Sequence, residues 1–185
     1  MKATVYIATS LDGFIARADG GLDWLPGAET SAEPDTEGSG DGEDYGYAAF
    51  MESIDTLVMG RNTYEMVLGF GDWPYQVPVV VLSSRPLEVP AELRGRVEVL
   101  SGTPGEVVAQ LAARGAESLY IDGGVTIQRF LEAGLIQRLI VTRVPVLIGG
   151  GIALFGPLQK DIPLRHVETR SFPSGLVQSV YDVVA

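Results

Sequence analysis

Between residues 56 and 144, short apolar runs rich in β-branched residues alternate with segments of helical period. This alternation limits the possible folds more than any other feature of the chain. The runs are TLVMG (56–60), VPVVVLSS (77–84), RVEVL (96–100), ESLYID (117–122) and IQRLIVTRV (136–144). Segments 62–67, 104–114 and 124–133 instead space their apolar residues as helices do. ATVYIAT (3–9) adds an earlier strand. The continuous run at 77–84 predicts a central strand, and strands apolar on both sides need cover on both sides, as in a helix-covered parallel sheet. After residue 144 the helical pattern stops. VETRSFPSGLVQSVYDVV (167–184) predicts an antiparallel hairpin turning at Pro173-Ser174-Gly175. The expected fold is α/β with three layers: one domain over 1–185, a mostly parallel central sheet, and an antiparallel hairpin at its edge.

Charge narrows the function. The chain carries 24 acidic and 13 basic residues, a formal net charge of −11. Seven of the acids fall in residues 27–44, where there is no base. Segment 27–43 is rich in Gly, Ser, Glu and Asp and is expected to be a mobile acidic insertion, because it cannot bury enough apolar area to offset its ordering entropy. An acidic surface disfavours nucleic acid and anionic membranes, both of which need a basic footprint. No apolar run is long enough for a membrane span, and MKATVYIATS does not match a signal peptide. With no cysteine and one histidine, His166, a zinc site is not expected and no metal ligand is assigned. A carboxylate-only magnesium or calcium site stays open in the acidic stretch, where the spacing matches no EF-hand loop. A cytoplasmic location fits the lack of cysteine. His166 stands in a polar stretch and is expected at the surface.

Three strand ends share small, hydroxylated or arginine residues: Gly60-Arg61-Asn62-Thr63, Ser83-Ser84-Arg85 and Gly123-Gly124-Val125-Thr126. Ligands of open α/β sheets bind at the carboxyl ends of the strands. A helix N-terminus there presents unpaired N–H groups to an anion, and glycine admits a phosphate close to the main chain. Arg61 and Arg85 have the forked guanidinium that brackets a phosphate. Taken together the junctions suggest a long polyanion such as a dinucleotide, although each singly would serve as a capped turn. Asn62 and Glu65 stand at capping-box spacing.

VMGRNTYE resembles the strand–Gly-Arg-x-Thr–helix element of dihydrofolate reductases. VVVLSSRP resembles their next strand and its Ser-Ser turn, and YIDGGVTIQRFLEAG their later Gly-Gly–helix element. Within that superfamily, SLDGFIA (10–16) and PVLIGGGIALF (145–155) are most similar to the reductase domain of riboflavin biosynthesis and its stand-alone relatives. That domain often follows a zinc deaminase domain, whose His and Cys ligands this chain lacks. The resemblance implies a dihydrofolate reductase-like fold, NADPH as cofactor, a homodimer, and reduction of 5-amino-6-(5-phosphoribosylamino)uracil or a related heterocycle. Dihydrofolate reduction and NADPH binding without turnover are the alternatives.

Carried over by residue, Gly60, Arg61, Asn62 and Thr63 would meet cofactor phosphates, and Ser83, Ser84 and Arg85 the ribose and its 2′-phosphate. Gly123, Gly124, Val125 and Thr126 would face the pyrophosphate, and Ala8 and Thr9 the nicotinamide. For the proton donor, counting from Trp24 points to Glu29 and counting back from MGR points to Asp44, at a helix start. Asp44 is preferred, and it is equally suited to capping that helix. Asp12, in its Asp-Gly turn, is a second candidate for contact with substrate. Phe14, Trp24, Tyr45 and Phe50 are candidate pocket residues that would serve equally well as core.

Overall fold

The computed structural model describes residues 1–26 and 43–184. The expectations for the acidic insertion, including Glu29, lie outside the described residues. Among those described, ten strands and four α-helices follow the order β1 (Lys2–Ser10), β2 (Phe14–Ala16), α1 (Tyr47–Glu52), β3 (Thr56–Gly60), α2 (Arg61–Leu68), β4 (Val79–Leu82), β5 (Val97–Leu100), α3 (Pro104–Ala113), β6 (Ser118–Asp122), α4 (Gly124–Glu132), β7 (Arg138–Val144), β8 (Ile152–Ala153), β9 (Leu164–Ser171) and β10 (Val177–Val183). Eight strands form one sheet in the order β5-β4-β3-β6-β1-β7-β10-β9. The first six run parallel, and β10 and β9 close the sheet antiparallel. The 77–84 run becomes β4, an interior strand beside the edge strand β5, while β6 and β1 hold the centre.

The sheet is buried on both faces because its strands alternate two apolar sets. Val5, Val58, Leu119 and Ile121 pack on one side with Val107 and Leu111 of α3 and with Ile127 and Phe130 of α4. Leu57, Met59, Val79 and Tyr120 pack on the other with Phe50 of α1 and Tyr64 and Val67 of α2. This is the three-layer arrangement that the sequence pattern implied. No described helix is long and apolar enough to cross a membrane, and no described cluster of His, Cys, Asp and Glu could hold a metal ion.

Local details depart from expectation. Helix α1 begins at Tyr47, not at Asp44, because Tyr45 and Gly46 first turn through positive φ (56° and 80°). Asp44 still caps: its carboxylate accepts the N–H groups of Gly46 at 2.8 Å and Ala48 at 3.0 Å. The Asn62–Glu65 capping box is absent. Gly60 is the N-cap of α2 without a side-chain bond, and Glu65 pairs with Arg61 at 2.6 Å, an i,i+4 pair. A capping box forms instead at Thr103 and Glu106 of α3. Phe14–Ala16 pairs with Ile152–Ala153 in a separate two-stranded sheet. His166 is exposed, with its ring edge-on to Tyr181.

Candidate active site

All six parallel strands end on one edge of the sheet, and there a cavity of about 880 Å³ opens. Gly60 and Gly123 bring the N-termini of α2 and α4 to it. Neither N-cap supplies a side-chain hydrogen bond, so the first-turn N–H groups of both helices face the cavity unclaimed by a cap. Helix α3, whose N-terminus Thr103 caps, is the contrast.

The glycines permit this convergence. A Cβ on Gly60 would stand 2.9 Å from Thr126 Oγ1, and one on Gly123 would collide with Thr63 Oγ1. A Cβ on Gly124 would stand 2.9 Å from Ile15 Cδ1. Gly123 also holds φ 89° and ψ 135°, a conformation that side chains avoid. The two junctions therefore touch across the cavity floor.

Of the residues expected at a cofactor, Ala8, Gly60, Arg61, Asn62 and Thr63 line the cavity, as do Gly123, Gly124, Val125 and Thr126. Thr9 does not; it is buried in β1, paired in register with Arg143 of β7. Ser83, Ser84 and Arg85 also stand off the cavity wall, where Leu82 takes the lining position. Ser83 Oγ donates to the Arg85 carbonyl at 2.7 Å and holds the turn. The guanidinium of Arg61 reaches toward this turn, donating to the Pro86 carbonyl at 3.4 Å.

None of the six residues expected for catalysis or substrate lines the cavity. Asp44 is exposed, and its carboxyl is held below the usual range, chiefly by the Ala48 N–H and next by that of Gly46. Asp12 accepts from Ser10 Oγ at 2.6 Å and from the N–H groups of Gly149 at 2.8 Å and Ile148 at 3.3 Å. It ties the 10–13 turn to the glycine-rich 149–151 loop, and these bonds, Ser10 first, lower its pKa. Phe14 belongs to β2, and Trp24 is half-buried, with an indole N–H lacking a partner among the described residues. Tyr45 meets Phe172 edge-on. Phe50 is core, stacked on Tyr6 at 5.0 Å. Aromatic side chains on helices that cover a sheet are recruited by packing, and here packing claimed Phe50.

Other polar and aromatic residues line the cavity. Asp122, the last residue of β6, lines the cavity on the same face of the sheet as Tyr120. Burial raises its carboxyl to about 6, against a smaller lowering by the Gly123 N–H, which donates to it at 2.8 Å. Its charge in turn adds to the desolvation that raises Tyr47 and Tyr75. Tyr6, Tyr75 and Tyr120 also line the cavity, with Met66 of α2 and Phe70 just after it. The wall is fixed by hydrogen bonds: Tyr120 OH donates to the Tyr6 carbonyl, and Tyr6 OH to the Tyr45 carbonyl, both at 2.9 Å. Gln178 Nε2 donates to that same Tyr45 carbonyl at 3.1 Å and to Thr142 Oγ1 at 3.0 Å. The one cue to Asp122 in the sequence is its place, an acid ending an otherwise apolar strand at the ligand-binding edge.

Comparison with known proteins agrees with this architecture. The chain is 33% identical over 174 residues to the uncharacterized protein YwjB of Bacillus subtilis (strain 168), covering 92% of each. The crystal structure of a putative riboflavin biosynthesis protein from Shewanella sp. PV-4 is 42% identical and superposes with a TM-score of 0.86, covering 100% of both chains. The dihydrofolate reductase of Enterococcus faecalis, complexed with NADP(H), shares the fold at 18% identity and a TM-score of 0.65, over 100% of this chain and 97% of its own. The RibD C-terminal domain model matches residues 2–178. The chain thus belongs to the RibD C-terminal domain family, with a dihydrofolate reductase-like fold.

Proposed function

We propose that the protein is an NADPH-dependent reductase of a small heterocyclic compound, as the riboflavin-type reductase relationship suggests. One observation carries the reading: two uncapped helix N-termini, at Gly60 and Gly123, open together on one cavity beside a half-buried carboxylate. The two helix N-termini that the glycines allow to meet suit a dinucleotide pyrophosphate. Arg61 and Thr63 would hold the phosphates from α2, and Val125 and Thr126 from α4. Ser83, Ser84 and Arg85, beside the reach of Arg61, would take the 2′-phosphate. The main chain at Ala8 and Thr9 would border the nicotinamide.

Bound NADPH supplies the hydride. The chain must orient the acceptor and provide a proton. Tyr6 and Tyr120 offer it a fixed aromatic wall, and Asp122, whose carboxyl burial pushes up to about 6, is the proton carrier at the cavity. Asp44 has its oxygens committed to the start of α1 and acts as its cap. Asp44→Asn should leave turnover within about twofold of wild type, because a group that only caps contributes nothing to the transition state. It should lower the Tm at neutral pH. A carboxyl with a lowered pKa stabilises the fold above its unfolded value and loses that contribution as pH falls, so the Tm difference should shrink in acid.

Thermal denaturation with each nucleotide tests the cofactor. NADPH at a hundred times its Kd should add about 2.7 kcal/mol of stability, raising the Tm by roughly 5–10 °C for a chain of this size. Absence of any shift with NADPH or NADH would sink the reading. Arg85→Ala should weaken NADPH about tenfold, the scale of a lost charge-assisted hydrogen bond, and leave NADH unchanged. The homodimer implied by the family has an open place at β9, a sheet-edge strand exposed along all eight residues. Light scattering should then give twice the mass of one chain.

A further inference from the structure

The cavity has two chemically different ends. One is the cradle formed by the N-termini of α2 and α4. The other lies on the α1/α2 side of the sheet, where Tyr6, Tyr75 and Tyr120 line the cavity together with Asp122. The placement of the chain's cations decides what this aromatic end can accept. All 13 Lys and Arg residues lie among the described residues, since 27–42 contains none. Of these, Arg61 and Arg129 alone line the cavity.

Neither of the two serves the aromatic end. Arg61 pairs with Glu65 and leans toward the Pro86 carbonyl, on the β4 side of α2 and away from β6. Arg129 is on α4, which packs against the opposite face of the sheet from Tyr120. The other arginines are engaged elsewhere or distant. Arg17 binds Asp23, Arg114 binds Glu98, and Arg138 and Arg165 share Asp182. Arg96 donates to the Tyr75 carbonyl from beyond the wall and does not line the space.

We infer that the aromatic end takes an unphosphorylated planar heterocycle whose N–H groups donate to Asp122, and that this carboxylate selects against a substrate bearing a phosphate. The inference rests on the cofactor reading above, which assigns the cationic cradle to the dinucleotide. A flat ring gains apolar contact with the tyrosines and offers donors to the acceptor oxygens of Asp122. A phosphate dianion brought to the same end would meet a carboxylate and no cation, and like charges in a partly desolvated site repel strongly. The substrate named by the family resemblance carries such a phosphate; its dephosphorylated nucleoside does not.

Calorimetric binding to the full chain loaded with NADP⁺ tests this directly. The probes are 5-amino-6-(5-phosphoribosylamino)uracil and the same compound without its phosphate. The nucleoside should bind at least tenfold more tightly. Asp122→Asn should narrow that preference to within threefold, while Asp122→Glu, which restores the charge, should keep it. Equal or tighter binding of the phosphorylated form overturns the inference; if Arg129→Ala then abolishes that binding, the phosphate is read from α4 instead. Binding of neither compound to protein that does hold NADP⁺ also overturns it, with the cofactor reading intact. Failure of NADP⁺ itself to bind removes the cofactor reading and the inference together.

Discussion

Asp122→Asn should lower kcat/KM about a thousandfold while making the protein more stable, a combination that a purely structural residue does not give. The activity loss is the scale of general acid catalysis by a positioned group. The gain in stability follows from linkage. The unfolded chain releases this proton near pH 3.9, whereas the folded protein releases it at about 6. Between those values folding must take up a proton, so stability falls as pH rises from about 4 to about 6 and stays reduced above it. The penalty of keeping a charge in that wall is about 3 kcal/mol at neutral pH. Asparagine avoids it at the cost of amide burial, leaving a net gain of about 1–2 kcal/mol and a Tm higher by several degrees. If the acid form is the donor, wild-type kcat/KM should decline tenfold per pH unit above about 6, and the variant should lose that slope. A destabilised Asp122→Asn with unchanged turnover would place the residue outside the mechanism.

The sequence pattern made the frame of the fold legible because strands buried on both faces and amphipathic helices have different periods. Six parallel strands and the terminal hairpin follow from that difference. Strands β2 and β8, three and two residues long, are too short to show any alternation. They form because each borrows the other's backbone from more than a hundred residues away. The start of α1 was misplaced for a related reason. Asp44 has the chemistry of a cap, but the positive φ of Tyr45 and Gly46 delays the helix to Tyr47, and no periodicity reports a dihedral angle.

At the site, the glycine junctions were readable because a strand that ends in Gly60 or Gly123 states its requirement locally. The aromatic wall of the cavity was not. Tyr6, Tyr75 and Tyr120 come from three distant segments and share a surface only once β1 and β6 pair and the chain beyond α2 folds over them. Asp44 and Asp12 have local sequence signatures and proved to satisfy local backbone N–H groups. Among the described residues, Asp122 is bonded by its neighbour Gly123, and it lines the cavity. A carboxylate whose hydrogen bonds are complete within its own turn is a poor choice for proton transfer, however well its spacing suits the role.

Gly123→Ala should be the most damaging single change in the cradle. Two separate penalties meet at this position. The backbone at φ 89° and ψ 135° is strained for any side chain, by about 1–3 kcal/mol. The added Cβ also collides with Thr63 Oγ1 on the neighbouring helix, so α2 and α4 must part where both present their N-termini. With the collision included, the Tm should fall by about 5–10 °C, and kcat/KM for NADPH should drop about a hundredfold, the scale of a displacement of one ångström in a positioning element. Thr63→Ala combined with Gly123→Ala separates the two causes. Removing the hydroxyl relieves the collision but not the dihedral strain, so the double variant should recover part of the Tm yet bind NADPH poorly, having lost Thr63 as well. Full recovery of Tm in the double variant would mean that crowding alone requires glycine here. A single variant with wild-type stability and NADPH affinity would show that the helices can part without cost, and the two N-termini would then not act as one phosphate site.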